Sequence, residues 1–165
     1  YYGPSILILA NIWNLQYRLF QIFLFVIYVF VVILFIKQLK LWIRDPRPSG
    51  YNDEPYKEWM NNGWLIPLHY DGAEKYGMPS GHSALLFFSL FYLWWMKRNP
   101  TYMILGSFIA IITLVQRYKY KKHSILQLAV GAVLGIALSY LGYWITTAWF
   151  SKQNLPTMYK ENVAK

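Results

Sequence analysis

Two histidines and a few cations are the residues here whose types and spacing could do chemistry. Lys40 and Arg47 stand in the segment Lys40-Leu41-Trp42-Ile43-Arg44-Asp45-Pro46-Arg47-Pro48, a K-x6-R-P pattern. About thirty residues later comes Tyr76–His82, YGMPSGH, and about thirty-five beyond that Arg117-x5-His123-x3-Gln127. A phosphoryl group in transfer spreads negative charge over three oxygens, and fixed Lys and Arg donors such as Lys40, Arg47 and Arg117 stabilise that charge. Arginine also grips phosphate through two N–H groups at once. Pro79 and Ser80 are good helix-start residues, so Ser80, Gly81 and His82 fall at a helix N-terminus, where free N–H groups and the dipole attract anions. Gly81 allows close backbone approach, and Ser80 brings a hydroxyl. His123 and Gln127 are four apart and share a helical face. An attacking imidazole needs one nitrogen free and the other held by an acceptor, a role open to Gln127 Oε1.

The bland readings differ residue by residue. Any one cation at a helix end is ordinary topology-setting charge. The case for phosphate binding is the K-x6-R-P spacing of Lys40 and Arg47. Arg44, Lys119, Lys121 and Lys122 have no such spacing and read as solvated or headgroup-facing. His69 lies in a loop with no motif around it and is not a candidate.

These residues must be positioned by helices that cross a bilayer. The chain has 165 residues, enough for one domain, and is 56% hydrophobic, 20% aromatic and 14% charged, against roughly a quarter charged in a soluble domain. The formal charge of +9 sits at the ends of apolar runs, which argues against nucleic acid, and Trp42, Trp94, Trp95, Trp144 and Trp149 suit an interfacial belt. There is no cysteine, hence no thiol chemistry, and no His, Asp or Glu spacing suggests a metal site. The expected fold is an all-α membrane bundle, one domain over residues 1–165, with four clear spans. The surest is Leu19–Ile36, roughly 27 Å at ~1.5 Å per residue against a ~30 Å hydrocarbon core. It runs on to Lys40, and Asp45-Pro46 stops it. The others are Pro79/Ser80–Met96, Thr101–Val115 and Ser124–Phe150. Ile6–Trp13 is too short to span and reads as a truncated or interfacial helix of a chain that begins at Tyr1 without Met. Residues 47–77 read as a long loop, a partly ordered cap packed by Trp59, Trp64 and Ile66. Residues 116–123 read as a basic connection and 151–165 as a polar tail. Gly131, Gly135 and Ser139, at four-residue spacing, let helix backbones approach in lipid. Alternating spans put all three motifs on one membrane face.

In this order, with hydrophobic spans between them, the motifs resemble the three-part signature of the type-2 phosphatidic acid phosphatase superfamily over about Leu19–Phe150. The resemblance implies metal-independent hydrolysis of phosphate esters or anhydrides through a phosphohistidine, with no cofactor. His123 matches the nucleophile and His82 the general acid that later activates water. Lys40, Arg47, Ser80, Gly81 and Arg117 match the phosphate-binding groups. Most members have Ser where Gln116 stands and Asp where Gln127 stands. His-x3-Gln is shared with dolichyl-diphosphate phosphatases and glucose-6-phosphatases, and KYGMPSGHS is similar to KYGMPSSHS of the dolichyl branch. That branch implies a polyprenyl (dolichyl-type) diphosphate substrate and an endoplasmic-reticulum or other endomembrane location, in a eukaryote or a virus of one. Phosphatidate or another phospholipid phosphate comes second, and a soluble sugar phosphate third. Gln116 and Gln127 keep open a catalytically weak, lipid-binding scaffold. A channel or transporter would want ionisable residues mid-span.

Overall fold

The computed structural model describes residues 2–15, 19–51 and 73–152, without the side chains at 14, 74 and 150–152. Five α-helices account for most of them: α1 (Gly3–Leu15), α2 (Leu19–Ile43), α3 (Gly81–Lys97), α4 (Pro100–Lys119) and α5 (Ile125–Lys152), with a single 3-10 turn at Ala73–Lys75. Of the expected loop and cap over 47–77, residues 52–72, which include Trp59, Trp64, Ile66 and His69, lie outside the described residues, as does the tail from residue 153. Helices α2, α4 and α5 are long and apolar enough to cross a membrane. The protein is an integral membrane helical bundle.

Helix α3 is the axis of that bundle. Its 17 residues rise about 26 Å, and it packs against each of the other four helices. Eight of its side chains are buried, among them Leu86, Phe88, Leu90 and Tyr92. Phe25 and Tyr28 of α2 meet this helix in an aromatic cluster, with Phe25–Tyr92 centroids 5.3 Å apart and Tyr28–Tyr92 edge to face at 5.9 Å. The opposite side of α2 exposes Phe23, Val26, Phe30, Val31 and Leu34, which in a soluble protein would be untenable and here meets lipid tails.

Small residues set the tightest contact. A Cβ on Gly131 would lie 2.5 Å from Ser80 O, and one on Gly135 would reach Ala84 O and come within 2.9 Å of Phe88 N. Backbone therefore lies on backbone between α3 and α5, as the four-residue spacing anticipated. Ser83 Oγ donates to Leu128 O at 2.7 Å across the same seam.

Helix α1 differs from the interfacial segment expected for Ile6–Trp13. Leu7, Asn11 and Leu15, one side chain per turn, are buried. Asn11 Nδ2 donates to Leu7 O at 2.7 Å, Ser89 O at 3.1 Å and Tyr102 Oη at 2.9 Å. Side-chain amides hydrogen-bond across helices in lipid, and these bonds tie α1 to α3 and α4. Helix α4 is also longer than expected. It begins at Pro100, capped by Asn99 Oδ1 accepting from Tyr102 N at 3.1 Å. It ends at Lys119, so Arg117 is a helical residue and not part of a connection.

Candidate active site

Each motif sits where a helix begins or ends at one pole of the bundle. Lys40 occupies the last turn of α2 and is only 5% exposed. Arg44 then takes a left-handed conformation, φ 54°, and its N–H donates to Lys40 O at 3.0 Å. That cap turns the chain back across the bundle, so Asp45 and Pro46 run beside Tyr76 and Gly77. Pro46 and Tyr76 form an antiparallel bridge, and Gly77 N–H donates to Asp45 O at 2.8 Å.

The second motif leads into α3. Ser80 is its N-cap, fully buried, its Oγ accepting from Ser83 N at 3.4 Å while its own N–H donates to Gln127 O at 3.1 Å. The hydroxyl oxygen is thus committed to the cap, leaving its hydrogen for another acceptor. Gly81 and His82 form the first turn of α3, where N–H groups are not used within the helix.

The third motif closes the ring. Arg117, 4% exposed, is in the last turn of α4. The chain reverses through Lys121, also left-handed at φ 51°, with Lys122 N–H donating to Arg117 O at 3.0 Å. His123 follows, 3% exposed, with Nδ1 3.0 Å from Gly77 O. A carbonyl only accepts, so Nδ1 carries the proton and Nε2 keeps its lone pair. Arg47 Nη1 donates to Lys122 O at 2.8 Å, and its guanidinium lies 4.5 Å over the Tyr51 ring. Segments 45–51, 76–80 and 120–127 therefore meet through direct hydrogen bonds.

Charge and burial act on the same residue. Burial pushes His123 down to about 3, and the charges of Arg47, Lys40 and Arg117 add to that, partly opposed by the Gly77 bond. The ring is therefore neutral at physiological pH and available as a nucleophile. Arg117, His123 and Lys40 also lie close enough to His82 to act on its charge. Two imidazoles and three cations thus share one neighbourhood, suited to an anion that a neutral imidazole attacks.

One expected contact is not made. Gln127 does not hold His123: its Oε1 accepts from Ser124 N at 3.0 Å, and its Nε2 donates to Asp45 Oδ2 at 2.6 Å and Pro46 O at 2.8 Å. The acceptor for the imidazole is a backbone carbonyl, Gly77 O, because α5 starts only at Ile125 and His123 lies before it, off the face Gln127 occupies. Gly77, Asp45 and Ser124 are the contributors that sequence reasoning passed over. Gly77 gave a hint, being a glycine within the motif: a Cβ there would run into the Gln127 carboxamide.

A family model described as PAP2 superfamily matches residues 19–151. Lipid A 1-phosphatase of Porphyromonas gingivalis is 34% identical over 100 residues, covering 59% of this chain and 22% of that protein. The chain thus spans about a fifth of that relative's length, and no solved structure matches. The relative is bacterial and named for lipid A, so it lends no support to the dolichyl branch or to an endomembrane location.

Proposed function

The chain belongs to the PAP2 superfamily, and from that premise we propose that it is a membrane lipid-phosphate phosphatase working through a phosphohistidine on His123. The observation that carries the reading is the bond from His123 Nδ1 to Gly77 O, because it ties the third motif to the second and leaves Nε2 as the free nitrogen. Nε2 attacks phosphorus, and the bond from phosphorus to the leaving oxygen breaks. His82, which takes up a proton once the substrate's phosphate offsets the neighbouring Arg117 and Lys40 charges, gives that proton to the leaving oxygen. It then takes one from water, whose oxygen attacks the phosphohistidine, and the N–P bond breaks to release phosphate and restore His123. Lys40, Arg47 and Arg117 offset the charge on the phosphoryl oxygens throughout, joined by the Ser80 hydroxyl and the Gly81 amide.

The substrate keeps its acyl or prenyl tails in lipid while its phosphate enters between the loops. A polyprenyl diphosphate is the first choice, on KYGMPSGHS and His-x3-Gln. A phosphate on an acylated sugar is the second, favoured by the lipid A 1-phosphatase relative. The test is phosphate release by the full chain in detergent, with EDTA present, from farnesyl diphosphate, phosphatidate, lipid A and glucose 6-phosphate. Release from a lipid substrate and not from the sugar phosphate is expected. Release from none of them, or only after a metal is added, overturns the proposal and favours a lipid-binding scaffold.

A further inference from the structure

Asp45 is absorbed by none of the steps above, yet it touches both Gly77, whose carbonyl holds His123, and the Gln127 carboxamide beneath Gly77. Its carboxylate takes the 2.6 Å bond from Gln127 Nε2, short enough to be a charge-assisted one. Its backbone oxygen takes the Gly77 N–H at 2.8 Å. Gly77 in turn lies flush on the Gln127 carboxamide, with no room for a methyl group between them. The other end of that carboxamide accepts from the N–H of Ser124, the residue after the nucleophile.

We propose that Asp45 is a positioning residue for His123: with Gln127 it fixes the plate on which Gly77 rests, so that Gly77 O holds the imidazole in one tautomer and one orientation. Only a carboxamide fills the middle place. Its NH2 must face the Asp45 carboxylate and the Pro46 carbonyl, both acceptors, while its oxygen faces a backbone N–H. A carboxylate at position 127 would set like charges together. Because Asp45 is two residues before Arg47, the loop that brings phosphate-binding charge also carries the brace for the attacking ring.

Only the kinetic arm of the test rests on the phosphohistidine reading. The other arm is the 15N NMR signature of His123 in the full chain in detergent, assigned with His69→Ala, His82→Ala and His123→Ala. The wild type shows Nδ1 protonated. Asp45→Ala shifts His123 toward a mixture of tautomers and lowers kcat on the order of 10- to 100-fold, the scale of a small misplacement of reacting groups, with KM little changed. Asp45→Asn keeps an acceptor oxygen and restores both. Gln127→Met keeps the packing under Gly77 but removes the bond, and it behaves like Asp45→Ala. Combined with Asp45→Ala it adds little, since both remove the same link. An unshifted His123 signal in Asp45→Ala, or in Gln127→Met should the first fail to fold, overturns the proposal. A shifted signal in a chain that hydrolyses none of the four substrates overturns the phosphatase reading and leaves the positioning role intact.

Discussion

At the pole where α2 and α4 end and α3 and α5 begin, the chain is held by bonds that reach far along the sequence: Gly77 to His123, Arg47 to Lys122, Gln127 to Asp45. At the opposite pole the turn from α3 to α4 is held by bonds between near neighbours. Arg98 N–H donates to Trp94 O at 2.9 Å, Asn99 caps α4, and the Arg98 guanidinium lies 5.0 Å over the Trp95 ring. A turn that only reverses the chain is satisfied locally. Holding two imidazoles among buried cations takes partners from every loop at that pole. The packed middle of the bundle supports both poles, so substitutions should separate the regions by what they damage.

The largest effect belongs to the middle. Gly135→Leu forces α5 away from Ala84 and Phe88, and overpacking at a backbone contact costs about 3 kcal/mol or more. Thermal unfolding in detergent should show loss of the folded bundle, taking activity with it. At the site pole, Gly77→Ala pushes a methyl into the Gln127 carboxamide. Phosphate release should fall on the order of 10- to 100-fold, with a much smaller change in unfolding temperature. Tyr92→Phe removes one hydroxyl from the Tyr28–Thr146–Tyr92 cluster, where Tyr92 Oη lies 3.3 Å from Thr146 Oγ1. It should lower stability by roughly 0.6 kcal/mol, the average for such bonds in a membrane bundle, and leave kcat alone. A change in kcat there would blur the division between middle and pole.

The smallest effect is a signal that stays still. With His123 lowered to about 3, NMR titration between about pH 8 and 5 should find it neutral throughout, unlike an ordinary histidine. The sign for stability follows. The folded ring takes up a proton only near 3 and the unfolded one near its ordinary 6.5, so stability contributed by this group is present above 6.5 and is lost as pH falls toward 3.

The sequence made one layer of this legible and hid another. Apolar runs announced α2, α4 and α5, and the spacing of Gly131 and Gly135 announced a close backbone contact of α5, though not that α3 is its partner, because lipid burial and close packing depend on residue type. Lys40, Arg47, His82, Arg117 and His123 stood out because phosphoryl-transfer chemistry calls for side chains of their types. The partner of His123 did not, since Gly77 acts through a carbonyl that every residue has. Gln127 stands four residues from His123, a spacing that suits a common helical face, but the helix starts after His123, and the carboxamide turns to Asp45 and Ser124 instead. Helix α1 is too short to span, as its length indicates, but its place in the core was hidden, because Asn11 shows its value only beside Ser89 and Tyr102.

The claim that His123 is the nucleophile is tested most directly by trapping the intermediate. The full chain is mixed briefly with a 32P-labelled form of whichever panel lipid it hydrolyses, quenched in alkali, and its labelled peptide identified. The account predicts an acid-labile, base-stable label on the peptide containing His123, absent in His123→Ala, which also releases no phosphate. A label on another residue, or phosphate release that survives His123→Ala, would contradict it.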